Sequence, residues 1–518
     1  MKPTRTVLIV GGGTAGWLTA AYLAKALNAA SPEGVAITLI ESPDIGILGV
    51  GEGTFPSIRG TLSAIGVNEA RFLEASNATF KQGVRFNNWV RPKGTPGPDH
   101  YFHPFSLPSQ RTAGLELLPY WLMGEAPEGV AFAEAVTMQK RVADASRGPK
   151  KLGDGDFLGP MNYAYHFDAT RFAAFMREEA KALGVVHLQG KVERVDLDET
   201  GAIAGLATPE HGQLSADLYI DCSGFRAALI GAALGSPFKP LADHLFVDRA
   251  LAIQVPYDRP DHPIASYTIS TAHEAGWTWD IGLKERRGVG YVYSSRHTGD
   301  DRAEAVLRGY LGGAGSELPV RQLQFEVGYR ERQWAKNCVA VGLSGGFLEP
   351  LESSGIGLIE TAAYLIAHLF PFDGQMDRTA VLFNELMSKR YARVVDFLKL
   401  HYCLSQRTDS AFWTDNTNAA SIPESLAAKL EMWRCRPPHR LDFVTDLEMY
   451  LPASWQFVLY GMEFKTDMSG ARAGFTRTAA AREEFAMLPK VAARAVDDLP
   501  DHRDLVERLC ARGLGRAA

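Results

Sequence analysis

The sequence is poor in cysteine and has no long apolar segment. Its five cysteines are scattered and odd in number, and none belongs to a CxxC pair, which argues against a disulfide framework, a structural zinc and a dithiol redox motif. Every apolar stretch is interrupted or well short of the roughly 20 residues that a membrane span needs. The run at residues 6–10 ends at a glycine triplet, too soon for a signal peptide. We therefore expect a cytoplasmic protein without a metal site and without membrane contact.

The sequence also lacks an excess of positive charge. Its formal net charge is -6 and its pI is about 6.1, so nucleic acid is not an expected partner. Hydrophobic residues make up 46% and charged residues 22%, the ordinary balance of a globular protein. A chain of 518 residues is long enough for two closely packed domains.

A nucleotide-binding pattern is present at the N-terminus. Residues 7–10 read as a buried strand, Gly11-x-Gly13-x-x-Gly16 follows, and a helical stretch leads to a second buried strand that ends at Glu41. Glycines let a pyrophosphate approach the N–H groups at a helix N-terminus, and the carboxylate can accept hydrogen bonds from a ribose. A tight turn and a polar strand end are the plain alternatives, but the order of the parts favours dinucleotide binding.

Later segments extend this fold. Strands that end near residues 221–224 and 341–346 return to glycine-rich loops, and two such returns favour FAD over NAD. Asp168 or Thr170 is expected to cap a helix, residues 192–207 to form a hairpin, and residues 102–156 to be loops and short elements. The predicted fold class is α/β, an FAD-binding doubly wound nucleotide fold of the GR2 type with a mainly helical substrate-covering subdomain. The predicted domains are residues 1–375, with inserted β-rich substrate segments, and residues 376–518, mainly helical.

Several motifs together carry a family resemblance. They are residues 11–17, residues 50–56, Phe80 with Lys81, residues 277–281, residues 349–356, residues 401–407 and residues 453–455. With these motifs the sequence resembles the flavin-dependent tryptophan halogenase family. The resemblance implies reduced FAD from a separate flavin reductase, oxygen, and chloride or bromide, which give hypohalous acid. It also implies an internal tunnel that leads this oxidant to an electron-rich aromatic such as an indole.

The resemblance assigns two catalytic residues and a halide site. Lys81 would donate a hydrogen bond to hypohalous acid or form a haloamine, although most lysines are simply exposed. Glu352 would act as the catalytic carboxylate or general base, with Glu349 as a close rival and a helix-terminal role as the plain reading. Ser354 and Gly355 would bind halide through N–H groups at a helix N-terminus, where an ordinary N-cap gives the same sequence.

The other implied contacts concern cofactor and substrate. The cofactor-binding residues are predicted to be Gly11, Gly13, Thr14, Ala15, Gly16, Glu41, Gly49, Val50, Gly51, Glu52, Gly342, Leu351 and Ile356. Trp277 and Trp279 would fill the space beside the flavin and prevent ordinary monooxygenation, unless they are core packing. Aromatic walls suit a flat ring, and His100, Phe102 and Trp455 are the predicted substrate contacts.

The sequence departs from the family pattern at two positions and leaves alternatives open. Gly282 stands where proline is usual and Ser354 where threonine is common, so an indole other than tryptophan is as compatible as tryptophan itself. An FAD-dependent aromatic monooxygenase and a non-catalytic carrier with the same fold are the competing hypotheses. Regiochemistry, halide preference and oligomeric state do not follow from the sequence, and a homodimer stays open.

Overall fold

The computed structural model describes residues 2–44, 46, 51–315, 317–444 and 448–515. Gly49 and Val50, two of the predicted cofactor residues, lie outside the described residues. The strands are β1 Thr6–Val10, β2 Ala36–Glu41, β3 Gly51–Gly53, β4 Thr79–Lys81, β5 Gly83–Asn87, β6 His100–Pro104, β7 Ala164–Asp168, β8 Val186–Gln189, β9 Arg194–Leu197, β10 Ile203–Thr208, β11 Gly212–Leu214, β12 Leu218–Asp221, β13 Phe238–Pro240, β14 Arg249–Pro256, β15 Thr268–His273, β16 Gly276–Gly282, β17 Arg286–Tyr293, β18 Arg321–Gln324, β19 Gly328–Arg330, β20 Trp334–Ala335, β21 Cys338–Ala340 and β22 Gly346–Phe347. The helices are α1 Thr14–Ala26, α2 Ser57–Ile65, α3 Glu69–Ala75, α4 Leu117–Leu122, α5 Phe132–Val136, α6 Gln139–Asp144, α7 Ala169–Ala182, α8 Asp300–Leu311, α9 Ser354–His368, α10 Met376–Cys403, α11 Ala411–Thr417, α12 Glu424–Trp433, α13 Pro452–Gly461, α14 Thr478–Asp498 and α15 His502–Gly515.

The chain divides into two compact units, each built from three segments. The first unit comprises Met1–Ala78, Phe167–Leu241 and Phe325–Ala392, and the second comprises Thr79–His166, Ala242–Gln324 and Arg393–Ala518. This division differs from the predicted boundary between residues 375 and 376, because the chain passes between the units several times before its helical C-terminal part.

The first unit contains a six-stranded sheet in the order β20-β21-β12-β1-β2-β8, parallel except for the β20–β21 pair. β1 and β12 are almost wholly buried apolar runs, as expected of strands covered on both faces. Helices α7 and α9 pack against α1. Asp168 caps α7, as one of the two expected candidates, by accepting hydrogen bonds from the N–H groups of Thr170 at 3.0 Å and Arg171 at 3.1 Å.

The second unit contains a seven-stranded sheet in the order β18-β14-β17-β16-β15-β5-β6. Its pairs are antiparallel except for β15 with β5. Beside it, β4 pairs antiparallel with the residues of β7 that belong to this unit. Helix α13 packs on β6, and α15 packs on β4.

The predicted fold class is confirmed: the parallel sheet with flanking helices is a doubly wound nucleotide fold. The predicted hairpin is formed by β9 and β10. Residues 102–156 contain short elements, as expected. Within the described ranges, no helix combines the length and the apolar character needed to cross a membrane.

Candidate active site

Three strand ends of the first unit meet at one edge of its sheet. β1, β12 and β21 are parallel neighbours, so their carboxyl ends, each followed by a glycine-rich loop, face the same way. Gly342 follows β21 with a φ of 74°, and a Cβ there would lie 2.7 Å from Cβ of Ala15 in the first turn of α1. The glycine-rich segments near residues 11, 221 and 345 therefore lie together at one edge of the sheet.

The glycines of the first loop serve different purposes. Gly11 has a φ of 114°, and a Cβ on it would lie 2.2 Å from the carbonyl oxygen of Cys222. A Cβ on Gly16 would lie 1.8 Å from the carbonyl oxygen of Gly11. Gly13 is different, because it is the N-cap of α1 in extended backbone geometry and a Cβ on it would meet no atom of the described residues within 4 Å. Glycine is therefore needed at positions 11 and 16 because the backbone packs closely there, whereas the space beside Gly13 is open to a ligand.

That open position faces no competing anion on its own helix. α1 has no acidic residue in its first turn, and Gly13 makes no side-chain cap, so its first N–H groups suit a pyrophosphate. Glu41, at the end of β2, lies over the loop, since a Cβ on Gly12 would fall on its carboxylate. Oε1 of Glu41 also lies 2.9 Å from Nε2 of His187. The loop and the carboxylate fit the diphosphate and ribose of a dinucleotide.

Glu52 is an unusual carboxyl group on β3. Burial, with a further contribution from the charge of Asp168, raises the pKa of Glu52 to about 7. Close to neutral pH its carboxyl group is therefore protonated in part of the molecules, and it can then donate a hydrogen bond as well as accept one.

The N-terminus of α9 carries the predicted catalytic glutamate and halide residues. Glu349 and Glu352 are both completely buried. Ser353 is the N-cap with a left-handed φ of 59°, makes no side-chain cap, and precedes a first turn without acidic residues. The buried hydroxyl of Ser354 has no hydrogen-bond partner among the described residues, whereas Gly355 is exposed. Such a turn can present N–H groups to an anion, and Leu351 and Ile356 are buried beside it in sequence.

The two predicted flavin-side tryptophans lie on one face of β16 in the second unit. The ring planes of Trp277 and Trp279 make an angle of 63° with centroids 6.4 Å apart, and both side chains are buried. Gly290 on the neighbouring strand makes room for them, since a Cβ there would lie 2.1 Å from the Trp279 ring. Gly282, at the end of the same strand, accepts a hydrogen bond of 2.6 Å from the hydroxyl of Thr79 on β4.

Lys81 ends β4 and is completely buried. Its Nζ lies 5.2 Å from the ring centroid of Phe105, within the range of a cation–π interaction. His166, on the paired strand, donates to or accepts from the hydroxyl of Thr268 at 2.8 Å. The pKa of His166 is held well below its usual value, first by burial and then by the charges of Lys81 and His502. Lys81 thus lies beside an aromatic ring and near a histidine that is held neutral.

The aromatic residues near Lys81 belong to the second of two His-x-Phe repeats. On β6, the His103 ring contacts Phe105 at 6.2 Å and Phe397 at 6.0 Å. His100 lies on the other face of the strand, with Nδ1 2.7 Å from Asp99. Phe102 shares the face of His100 and packs on Tyr267. The structure thus brings His103 and Phe105 together with Lys81, where the sequence had suggested His100 and Phe102.

Trp455, the third predicted substrate contact, belongs to the same aromatic cluster. Its ring centroid lies 5.1 Å from that of Phe397, which also contacts His103. Lys429 lies over its ring at 5.4 Å. The Trp455 side chain is completely buried, and its indole N–H has no hydrogen-bond partner among the described residues. Phe397 therefore connects the Lys81 region to Trp455 inside the second unit.

A metal centre is not part of this arrangement. Across the described part of the chain, no group of three or more His, Cys, Asp and Glu side chains is placed to hold a metal ion.

The chain is similar to halogenases along its whole length. The tryptophan halogenase family profile matches residues 6–474. The tryptophan 6-halogenase SttH of Streptomyces toxytricini is 35% identical over 95% of this chain and 96% of its own. The solved structure of a tryptophan halogenase from Shewanella frigidimarina NCIMB 400 has a TM-score of 0.94 at 41% identity, covering 99% of this chain and 98% of that one. BrvH, a flavin-dependent halogenase from Brevundimonas sp. BAL3, gives a TM-score of 0.87 at 34% identity over 98% and 99% of the two chains.

Proposed function

Because this chain belongs to the tryptophan halogenase family, we propose that it halogenates an indole or another electron-rich aromatic with reduced FAD, oxygen and chloride or bromide. The family assignment made from the sequence is confirmed by the match across the chain. Family membership implies a flavin, a halide, a small aromatic substrate and a flavin reductase as the source of reduced flavin. Tryptophan lies within the proposed substrate class, as the names of the relatives suggest.

The proposed FAD site is the edge of the parallel sheet in the first unit. The open position at Gly13 supports it, with Thr14, Ala15 and Gly16 in the helix that follows. Glu41 is proposed to bind the ribose. Bound reduced FAD would supply the two electrons that activate oxygen, and the activated oxygen would then oxidise halide. Further proposed contacts are Gly11, Gly51, Glu52, Gly342, Leu351 and Ile356, with Gly49 and Val50 carried from the sequence alone.

The turn before α9 is proposed to hold the halide. The N–H groups of Ser354 and Gly355 suit a small anion, and the unpartnered hydroxyl of Ser354 supports a ligand at this position. Glu352 is proposed as the carboxylate that polarises the oxidant or accepts the proton lost by the halogenated ring. Glu349, equally buried, stays the rival.

Lys81 carries the proposal for the directed step. An ammonium buried among aromatic rings can donate a hydrogen bond to hypohalous acid and fix its halogen beside a bound ring. We propose that the oxidant reaches it through the protein interior. The aromatic C–H then becomes C–X, the oxygen leaves as water, and a base removes the ring proton.

The substrate walls are proposed to be His103, Phe105 and Trp455. Their connection through Phe397 into one buried aromatic cluster with Lys81 is the single observation that supports the function best. A hydroxylase would instead need its aromatic substrate directly beside the flavin, the space that Trp277 and Trp279 are proposed to fill.

The replacement Lys81→Ala tests this assignment. The variant should still bind reduced FAD and reoxidise it at the wild-type rate, whereas halogenated product should fall by about 100-fold or more, because positioning of the oxidant is lost. Flavin absorbance and mass spectrometry measure the two quantities in one reaction.

A second buried lysine provides the matched control. Nζ of Lys399 is hydrogen-bonded to Asn416 at 2.9 Å and lies over the ring of Phe246, so Lys399→Met removes a buried charge outside the proposed cluster. It should keep its product yield per folded enzyme. Wild-type rate and regiochemistry in Lys81→Ala would make Lys81 a structural residue.

A further inference from the structure

The strand that carries Lys81 is short and is fixed mostly by groups outside its own sheet. β4 has three residues and pairs with β7 along one edge. The hydroxyl of Thr79 donates to Gly282. Just after the strand, the N–H of Gln82 donates to the carbonyl of Ser266 at 2.6 Å, and the carbonyl of Gln82 accepts from the N–H of Phe105 at 3.1 Å. Hydrogen bonds from Thr79 and Gln82 thus hold the chain on both sides of Lys81.

The residue directly before Lys81 is anchored by a histidine from the far end of the chain. The N–H of Phe80 donates to Nε2 of His502, 422 residues away in sequence, at 3.1 Å. His502 is the first residue of α15 and is completely buried. Its ring also lies 6.1 Å from the Phe80 ring. The C-terminal helix therefore reaches the lysine strand through one side chain.

The two bonds of His502 determine its protonation. Nδ1 lies 2.9 Å from the carbonyl oxygen of Ile264, which can only accept, so Nδ1 carries the proton. Nε2 faces an N–H, which can only donate, so Nε2 is unprotonated. Both ring nitrogens of a neutral imidazole are occupied by backbone, and neither is left for substrate or oxidant.

We infer that His502 is a positioning residue for Lys81: its acceptor nitrogen holds the Phe80 N–H, and with it the direction in which the Lys81 side chain leaves the strand. This inference rests on the proposed role of Lys81. If the acceptor is lost, a buried N–H has no partner and the strand must shift to find one. A shift of about 1 Å in a positioned group can cost roughly 100-fold in rate.

Two amide replacements separate this role from simple packing. The amide of Asn can replace Nδ1 of histidine, and the longer side chain of Gln can place its oxygen near the position of Nε2. His502→Gln can thus still accept from Phe80, whereas His502→Asn can only keep the bond to Ile264. Both replacements remove the ring. The Asn variant keeps the bond to Ile264 and loses the bond to Phe80, and the Gln variant does the reverse.

The experiment measures halogenated product per reduced flavin consumed, together with free hypohalous acid caught by a 1,3-diketone scavenger. His502→Asn should lower the product ratio by about 10-fold or more, raise the trapped oxidant and leave flavin reoxidation unchanged. His502→Gln should stay within about threefold of wild type. Hydrogen exchange of the Phe80 amide gives a readout independent of activity: it should accelerate in His502→Asn and stay protected in His502→Gln.

Equal product ratios in the two variants, or a wild-type ratio in His502→Asn, would overturn the inference. Lys81→Ala is assayed beside them, so that failure of the positioning role of His502 can be distinguished from failure of the proposed role of Lys81. If Lys81→Ala loses product while His502→Asn does not, only the positioning role fails. If Lys81→Ala itself halogenates normally, the proposed function of Lys81 fails first.

Discussion

At the scale of single residues, the proposed site depends on the open space beside Gly13 and on the groups around the buried Lys81. Gly11 and Gly13 are two residues apart in one motif, yet a Cβ at the first would clash with Cys222, whereas a Cβ at the second would clash with no described residue. The motif alone does not distinguish them. Their separate surroundings lead to a direct test of the cofactor site.

Replacing Gly13 with valine should weaken FAD binding without harming the fold. Gly13 has a φ of -78° and a ψ of -171°, a conformation that valine adopts readily, and its side chain would enter the space in front of α1. We expect the Kd for FAD to rise by about 10-fold or more, equivalent to at least roughly 1.4 kcal/mol, with the melting temperature of the flavin-free protein almost unchanged. Gly11→Ala is the contrast, since its φ of 114° and its clash should lower that temperature. Unaltered FAD affinity in Gly13→Val would place the cofactor elsewhere.

The substrate walls show where residue-level prediction from sequence stops. His100 with Phe102 and His103 with Phe105 have the same His-x-Phe spacing. A shift of three residues along a strand moves every side chain to the opposite face, so only the register of β6 decides between the pairs. That register depends on β5, where Val84 lies opposite His103.

At the scale of elements, the first unit was more predictable than the second. Its strands are continuous apolar runs followed by glycine loops, so β1, β2 and β12 were recognisable locally. The seven-stranded sheet depends on pairings such as that of β5 with β15, about 180 residues later, which no local pattern encodes. The contact of α15 with β4 is equally non-local, because its first residue, His502, is buried and bonded to Phe80.

The burial of His502 should make α15 sensitive to acid. Burial lowers the pKa of His502 to about 4, and the charge of Arg503 acts in the same direction. The hydrogen bond to Ile264 and the charge of Asp501 oppose this shift. The buried His166 lies close enough to be affected by the charge of His502. The folded state favours neutral His502. The contribution of His502 to the free energy of unfolding is therefore complete above about pH 6.5, the ordinary pKa of histidine, and is lost as the pH falls towards 4. Between pH 7.5 and pH 5 the loss is about 2 kcal/mol.

His502→Gln lacks this titration and serves as the comparison. From pH 7.5 to pH 5, the free energy of unfolding of the wild type should fall by about 2 kcal/mol more than that of the variant, measured by urea titration of the flavin-free proteins. Groups that do not interact with His502 titrate equally in both proteins and cancel in the difference. Parallel losses in the two proteins would mean that His502 is not held neutral by the fold.

At the scale of the whole molecule, the residues proposed to carry the chemistry are divided between two units that the sequence order does not reveal. The first unit carries the nucleotide edge, Glu352 and the α9 turn, and the second carries Lys81 and the aromatic cluster. Each unit is assembled from three separate segments, so the boundary could not be read as a change in composition along the chain. Family membership, in contrast, was recognisable because each family motif is a short unbroken stretch of sequence, and the family match extends over most of the chain.

The most direct test of the central claim asks whether halide enters the product. The protein is incubated with FAD, NADH, a flavin reductase and air, together with indoles, phenols and pyrroles, with bromide, with chloride and with neither. Mass spectrometry should show an aromatic product in which one hydrogen is replaced by halogen, with the isotope pattern of bromine or chlorine, and no such product without halide. A product that gains one oxygen at the same rate whether or not halide is present would contradict the account and identify a monooxygenase.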